Sequence, residues 1–458
     1  MRKILLVFMV FLCNCMAVIE VGDLNKLAEH ASKDGSSIKL TPGVYRMSDY
    51  LTEEVIAARS SDAMAEAKKQ GVKRGDAYMF AFSGSNNSFD FTGVTIEVDT
   101  KFLSAFKRCY IREFLINGSG NTFSGLTITD IGDSPTYMGG NSVSIEGDNN
   151  TLKDITVNVR GSFPYGYGDY LGKGAGSIIN GKKHSGVQIC GINTKLIGCK
   201  VITRSFGHAF YIQGGIDTLF RDCYVKGEMR ATDQMLAETS GVAFENGFES
   251  VYKNYEGQNK IAPGYMKSLN ECGFRTYASG GPTNRLTGKV TAINCTAENV
   301  RVGFALGADD KTEPVKLSNC ETIGCERGFF ITKGVVENSR SDAVYGPMLY
   351  LEGDAASEIE LTLTKVQSDF KVHALVTISG KRHKLTLNQK PNIDVNIKVP
   401  IMLGYGMPSA GEISSPIPEA AASDITLINN TDMPVTAGAD VKNCKVITKG
   451  IENVINRK

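Results

Sequence analysis

The 458-residue chain contains no tryptophan, so only its 17 tyrosines and 21 phenylalanines can offer large flat faces to a ligand ring. It has no excess of either charge, since 50 Lys plus Arg face 49 Asp plus Glu. This balance argues against a nucleic-acid partner, because proteins that bind nucleic acids usually carry a clear excess of basic residues. Beyond the first residues no apolar run is long enough to cross a bilayer, so no transmembrane segment is predicted.

The amino terminus has the pattern of a bacterial secretory signal. A basic start at Arg2 and Lys3 is followed by a short apolar run and by small residues up to Ala17. We therefore expect a signal peptide over residues 1–17 and export to the periplasm or the medium. A second possibility is lipid attachment at Cys15, although residues 12–14 make a poor lipoprotein signal.

The cysteines have neither CxxC motifs nor Cys/His metal spacing, and nine remain once the signal is removed. Their spacing is regular: the positions of Cys199 and Cys223 differ by 24, those of Cys223 and Cys295 by 72, and those of Cys295 and Cys320 by 25. A small apolar residue that returns at a fixed period is typical of a stacked interior column in a repeat protein. We therefore predict buried, unpaired cysteines.

Short β-rich segments recur at the same period. In each segment an apolar residue is followed three positions later by a second apolar residue or Cys, and two positions after that by a β-branched residue. Residues 123–128, 152–157, 196–201 and 220–225 follow this pattern, and most are introduced by Asn, Asp or Gly. A period near 24 fits one coil of a parallel β-helix better than a propeller blade of about 40 residues. The helical pattern of residues 23–31 would cap the open end of such a coil.

The capping helix, the strand–turn–strand of residues 37–45 ("SIKLTPGVY") and the coils together resemble the right-handed parallel β-helix, or pectate-lyase-like, superfamily. The resemblance covers most of residues 20–400 and implies an all-β, single right-handed β-helix that acts on polysaccharides. The superfamily includes lyases, polygalacturonase-like hydrolases and epimerases. The paired-Asp motif of the hydrolases and the Asp-Pro-His-Asp motif of the epimerases are not matched.

The predicted organisation starts from the N-terminal cap and first coil at residues 18–48 and a helical insertion at 49–78. The β-helix then runs over residues 79–400, with long loops at 161–183 and 235–288, and C-terminal coils and a cap follow at 401–458. Because Cys223 and Cys295 are three periods apart, irregular coils are expected between them. Long loops on a repetitive scaffold are where binding and catalytic residues concentrate.

The repeat also predicts a candidate site. If Cys199 and Cys223 are equivalent, His184 and His208 share one coil position and stack about 4.8 Å apart. A cationic patch would then surround them on one face. The expected catalytic residues are His184, His208, Arg204, Arg230, Tyr211 and Lys182, and the expected substrate-binding residues are Lys183, Asp233, Tyr165, Tyr167 and Tyr170.

A cationic patch with imidazoles suits an acidic sugar. β-Elimination from a uronate needs a cation to neutralise the carboxylate, a base for the proton on C5 and an acid for the leaving oxygen. Arginine suits the first role and histidine the second, and Tyr211 is the expected acid. The three tyrosines of the Gly-rich loop would stack on sugar rings, or would simply close that loop on the coils. The favoured function is a polysaccharide lyase with an acidic polysaccharide or oligosaccharide as partner.

Two alternatives stay open. A glycoside hydrolase would need two carboxylates across a groove, for which the candidates are Asp222, Glu228, Asp233 and Glu238. A non-catalytic glycan-binding or surface protein would need no such groups. No cofactor is expected, and calcium at Asp309 and Asp310 has little support, because two neighbouring carboxylates usually mark a turn. The sequence does not predict an oligomeric state.

Overall fold

The computed structural model describes residues 17–172, 176–282, 284–308, 311–366, 369–393, 395 and 397–457. Nearly all of the signal sequence, with Cys13 and Cys15, and the suggested calcium pair Asp309 and Asp310 therefore lie outside the described residues. No helix in the described part is both long and apolar enough to span a membrane.

Within these residues the chain winds into coils whose strands pair in parallel from one coil to the next. The largest sheet contains the strands Val18–Val21, Ser37–Leu40, Gly43–Arg46, Ser88–Asp99, Thr122–Ile131, Thr151–Lys153, Thr156–Val159, Lys195–Ile197, Lys200–Thr203, Ile216–Arg221, Tyr224–Lys226, Gly288–Ile293, Thr296–Glu298, Val315–Ser318, Glu321–Ile323, Gly334–Ala343, Glu358–Val366, Lys384–Gln389, Thr426–Asn429, Cys444–Thr448 and Ile451–Ile455. Only its last pair is antiparallel.

A second sheet, here called the site sheet, is parallel throughout its described strands. They are Gly75–Phe82, Cys109–Ile116, Gly140–Ile145, His184–Ile189, Phe210–Ile212, Cys272–Thr276, Val302–Leu306, Arg327–Ile331, Leu349–Leu351, Val376–Ile378, Ile401–Leu403 and Val435–Ala437. Smaller pairings join Gly380–Lys381, Ala422–Ser423 and Val441–Lys442, then Met229–Ala231 with Met266–Ser268, and Ser279–Gly280 with Arg285–Leu286. The predicted all-β class and single right-handed parallel β-helix are confirmed.

The helices are few and peripheral. They are Leu24–Ala31, Glu53–Lys69, Lys101–Ala105, Thr232–Leu236 and Val242–Glu245, with 3₁₀ turns at Met47–Asp49 and Ser409–Gly411. The first begins where the Asp23 carboxylate accepts a hydrogen bond from the Lys26 amide at 2.8 Å. It buries Leu24 and Leu27 against the first coils, so it closes the end of the core.

The interior is built from columns of like residues. Cys199, Cys223, Cys295 and Cys320 are buried, unpaired and on successive coils, as their spacing predicts. The residue before each one has a left-handed backbone (Gly198, Asp222, Asn294 and Asn319), which Gly, Asn and Asp adopt most readily. A second column stacks Phe210, Phe274, Phe304 and Phe329, with neighbouring ring centroids 4.7 to 5.3 Å apart.

One expectation about the coils is wrong. Tyr224 pairs directly with Thr296, so the whole stretch between these positions belongs to one coil and not to three. Residues 227–271 form a single excursion that contains the pair Met229–Ala231 and Met266–Ser268 and two short helices. The chain then re-enters the site sheet at Cys272–Thr276, inside the stretch predicted as a loop.

Candidate active site

The predicted stacking of His184 on His208 is wrong. In the site sheet Val187 pairs with Phe210, so that the numbering offset is 23, whereas Lys200 pairs with Tyr224 in the other sheet, where the offset is 24. His208 therefore lies opposite Ser185. A one-residue difference in register reverses the direction of a side chain, so the two imidazoles face different surroundings.

His184 is enclosed in the body of the coil. Its side chain is fully buried, with Glu113 Oε1 3.4 Å from Nε2 and Asp130 Oδ2 3.4 Å from Nδ1. Burial, followed by the charge of Asp130, raises the pKa of Glu113 well above its ordinary value. A residue in this position does not reach a polysaccharide on the surface, so the catalytic role predicted for His184 is withdrawn.

Neighbouring side chains already contact the predicted cations Arg204, Arg230 and Lys182. Arg204 lies 3.4 Å from Asp133 and 3.8 Å from Glu228, and Arg230 lies 2.6 Å from Glu238. Lys182 Nζ donates to the Asn180 side chain at 3.4 Å. The predicted sugar ligand Asp233 accepts a hydrogen bond from the Gly264 amide at 2.8 Å, which holds a turn of the excursion.

The tyrosines of the 161–183 loop are structural. Tyr167 and Tyr170 are buried in a second apolar cluster with residues of the excursion such as Met235 and Tyr252. Tyr165 donates to Glu228 at 2.6 Å, and Tyr167 donates to Glu238 at 2.8 Å. These side chains close the loop against the excursion, and they do not present a row of faces to a sugar.

Beneath this cluster lies a buried network of charges. Lys267, which is fully buried, contacts Asp169 at 2.7 Å, Glu326 at 3.2 Å and also Glu412. Arg301 contacts Asp169 at 2.5 Å on the other side. The network links the loop, the excursion, the site sheet and the 404–415 segment, and so it fixes the walls of the adjacent groove.

That groove runs over the outer face of the site sheet. A pocket of about 250 Å³ is lined by His208, Glu271, Arg275, Tyr277, Arg301 and Met407, among others. A neighbouring pocket of about 390 Å³ shares Arg275, Tyr277, Ala305 and Phe330 with it. The two pockets are therefore parts of one groove that crosses several coils.

His208 sits at the floor of this groove with a defined orientation. Its Nδ1 accepts a hydrogen bond from the Cys272 amide at 3.2 Å, so the neutral ring carries its proton on Nε2. Nε2 lies 2.8 Å from Tyr277 Oη and 3.4 Å from Glu271 Oε2. The ring therefore donates to Tyr277 and leaves the phenolic proton of that residue available to the groove.

Tyr277 and Tyr211 are both protonated phenols. Burial, followed by the charge of Glu271, raises the pKa of Tyr277. Burial, followed by Tyr110, raises the pKa of Tyr211 well above its ordinary value. Tyr211 and Tyr110 each donate to Asn141 Oδ1 at 2.6 Å. Tyr211 is committed to this buried acceptor, so Tyr277 is the better proton donor.

Arg275 is one of the cations that line the groove. Its guanidinium lies 5.2 Å from the centre of the Tyr277 ring and, among the described residues, has no carboxylate within ion-pair distance. Arg301, by contrast, is held between Asp169 and Glu271, and Lys183 contacts Glu271 at 2.6 Å. Arg275 alone of these three can bind an external anion without first losing a partner.

The groove residues Glu271, Arg275 and Tyr277 were not predicted, because they lie in the stretch taken for a loop. A signal was nevertheless present. Phe274 and Arg275 pair with Phe210 and Tyr211, so the inward aromatic followed by an outward polar residue repeats on both strands. Matching that pattern would have placed residues 272–276 on the coil.

No family model and no curated protein matches the chain. Among solved structures, similarity is found to a PL6 alginate lyase in complex with a trisaccharide, with 12% identity, a TM-score of 0.42 and coverage of 94% of this chain and 84% of that one. The A-module of the mannuronan C-5 epimerase AlgE6 from Azotobacter vinelandii is 10% identical, with a TM-score of 0.36 and coverage of 90% of this chain and 96% of that one. An exopolygalacturonase from Thermotoga maritima is 9% identical, with a TM-score of 0.33 and coverage of 96% of this chain and 94% of that one. All three similarities are at low identity, and no activity is transferred from these structures to this chain.

Proposed function

We propose that the protein is an exported polysaccharide lyase that cleaves a uronate-containing glycan by β-elimination in the groove of the site sheet. The observation that carries the proposal is the position of Arg275 beside the hydrogen-bonded pair His208 and Tyr277, where no carboxylate of the described residues forms an ion pair with it. This assignment keeps His208 from the prediction and replaces the remaining catalytic residues.

Arg275 is the group that binds the substrate carboxylate. Abstraction of the proton on C5 moves negative charge onto that carboxylate, and a fixed guanidinium stabilises the charge as it develops. A bidentate contact would also orient the ring over Tyr277. Because Arg275 supplies this positive charge, we expect elimination to proceed in the presence of a calcium chelator.

Tyr277 handles both protons. Its raised pKa keeps the phenol protonated, so the residue enters the reaction as an acid. The hydroxyl proton passes to the leaving glycosidic oxygen, the C4–O bond breaks and the C4–C5 double bond forms, while the phenolic oxygen takes the C5 proton. Tyr277 is thereby restored. The exchange requires both substrate bonds on the same face of the ring, and the Nε2–H donor of His208 holds the phenolic oxygen in place.

A hydrolase is less well supported. The carboxylates expected for it contact neighbouring groups outside the groove: Glu228 binds Tyr165, Glu238 binds Arg230, and Asp233 binds a backbone amide. Among the described lining residues of the two pockets, Glu271 is the one carboxylate, and it already contacts Lys183. A second carboxylate across the groove, which hydrolysis requires, is not among those residues.

The test is ultraviolet absorbance of an unsaturated uronate product while the protein is mixed with a panel of uronate polysaccharides. Tyr277→Phe should lower kcat by about 10² to 10⁴, and Arg275→Gln by about 10² to 10³. Tyr224→Phe is the matched control, since that tyrosine bonds Glu298 on the other sheet and should keep full activity. New reducing ends without absorbance would indicate hydrolysis, and saturable binding without either product would indicate a glycan-binding protein.

Export is part of the proposal. The amino-terminal pattern motivates it, and sequencing of the mature amino terminus after cell fractionation tests it. A terminus after Ala17 in the periplasm or medium is expected. A blocked terminus at Cys15 in the membrane fraction would instead show a lipoprotein, and a chain that still begins with Met1 in the cytoplasm would contradict export.

A further inference from the structure

Three ionisable side chains that are not among the groove-lining residues meet inside the coil. Glu113, Asp130 and His184 come from three strands, and each is at most 3% exposed. One ligand atom from each lies within 4.8 Å of the others. Nothing in the proposed elimination uses these groups.

The imidazole of His184 is set up as a ligand. Its Nδ1 lies 2.5 Å from the carbonyl oxygen of Arg160, an acceptor, so Nδ1 carries the ring proton. Nε2 therefore presents a lone pair. A histidine that donates one ring N–H to a backbone carbonyl is the usual arrangement of a metal-binding imidazole.

The atoms around the ring are also acceptors: Glu113 Oε1 lies 3.4 Å from Nε2, and Asp130 Oδ2 lies 3.4 Å from Nδ1. Both oxygens of Glu113, Asp130 Oδ1 and His184 Nε2 are buried and have no hydrogen-bond partner among the described residues. The buried hydroxyl of Ser142, on the neighbouring strand opposite Glu113, is a donor that faces this carboxylate. Buried acceptors that converge with too few donors are costly unless a cation lies between them.

We propose that Glu113, Asp130 and His184 bind a divalent transition-metal ion, with Zn²⁺ as the best fit. One nitrogen and two carboxylate oxygens are a donor set that Zn²⁺ accepts at about 2.0 to 2.2 Å. Two such ligands at a tetrahedral ion are about 3.4 Å apart, and Nε2 lies 3.4 Å from Glu113 Oε1. The charge of the ion balances the two carboxylates, and Ser142 or a water would complete the shell.

The ion would have a structural role, because all its ligands are enclosed. It would tie three strands of the two sheets together near the start of the 161–183 loop. The alternative occupant is a proton on Glu113, donated to Asp130 or to Nε2. The two occupants differ in what a metal analysis and an unfolding curve report.

The experiment unfolds the full-length protein with a chelator and refolds it with and without Zn²⁺, Mn²⁺ or Fe²⁺. We expect about one tightly held ion per chain after gel filtration and a higher unfolding temperature for the metal-loaded protein. Glu113→Gln and His184→Gln should hold about none, whereas Glu358→Gln, an exposed carboxylate on the other sheet, should keep the wild-type content.

Wild-type protein alone decides the proposal if the variants fail to fold. A chain that refolds without retaining any of the three ions, and whose unfolding temperature is the same in Zn²⁺ and in chelator, would overturn it in favour of the proton on Glu113. Retention of the ion by both ligand variants would also overturn it, since the ion would then lie elsewhere.

Discussion

Replacement of Lys267 by methionine is the sharpest test of the buried charge network. Methionine keeps most of the side-chain volume and removes the charge, so Asp169, Glu326 and Glu412 would be left in the interior without their shared cation. Removal of one partner from a buried ion pair typically costs about 3 to 5 kcal/mol. That is a large share of the total stability of a domain, which is usually about 5–15 kcal/mol.

The matched control is Lys289→Met. Lys289 pairs with Asp217 at the same 2.7 Å that separates Lys267 from Asp169, but both side chains of the control pair are about half exposed. A surface pair of this kind contributes little to stability, because water screens it. Equilibrium unfolding in urea at pH 7.5 should therefore separate two substitutions with the same chemical change by several kcal/mol.

The pH dependence of the difference tests the cause. In Lys267→Met the stranded carboxylates bind protons more readily in the folded than in the unfolded chain, so the variant gains stability relative to wild type as the pH falls. The difference in unfolding free energy between wild type and Lys267→Met should therefore become smaller from pH 8 to pH 5. A loss below about 1 kcal/mol, or a gap that does not change with pH, would refute the view that unpaired buried charge causes the loss.

Three further outcomes are expected in unfolding experiments. Phe274→Ala should cost about 3 to 5 kcal/mol because its ring is fully buried in the aromatic column, whereas Phe163→Ala, at an exposed ring, should cost little. Asn121→Ala should cost about 1 to 3 kcal/mol, since its buried amide bonds the backbone of neighbouring coils. Wild-type stability should fall as the pH drops below about 4. Burial favours the neutral form of Asp169, but the charges of Lys267 and Arg301 outweigh burial and hold the pKa of Asp169 far below its ordinary value. The stabilisation is therefore present above the pKa of the unfolded chain and is lost as acid protonates this carboxylate.

The fold could be predicted because its signal is redundant. The interior columns repeat over several coils, so the interval of 24 between Cys199 and Cys223 returns as 25 between Cys295 and Cys320 after the insertion. The excursion between Tyr224 and Thr296 changes the count between two cysteines without changing their environment. Composition and spacing record such repeated packing, and a single-coil insertion alters only one interval.

The site could not be predicted to the same degree, because it depends on register to a single residue. Between the coils of His184 and His208, paired residues differ in number by 24 in one sheet and by 23 in the other, and this difference places the two histidines at different coil positions. Spacing alone does not reveal in which part of a coil the missing residue lies. The cations were misassigned for a related reason: Arg204 and Arg230 find carboxylates on the excursion, whose path the sequence does not encode as a repeat.

The charged residues of this protein thus fall into two groups, according to whether they contact the excursion or belong to the regular sheet. Around the excursion, Glu228 and Glu238 meet their cations, and Lys267 and Arg301 meet carboxylates at depth, so these groups hold the excursion on the coil. Arg275 belongs to the regular sheet, where its neighbours in register are Tyr211 on one side and Ala305 on the other, and neither is an anion. A guanidinium beside a groove that finds no counterion in the described part of the chain is stabilised most by a ligand that supplies one. For that reason the regular coil, and not the loop chosen from its tyrosines, is where an acidic polymer is expected to bind.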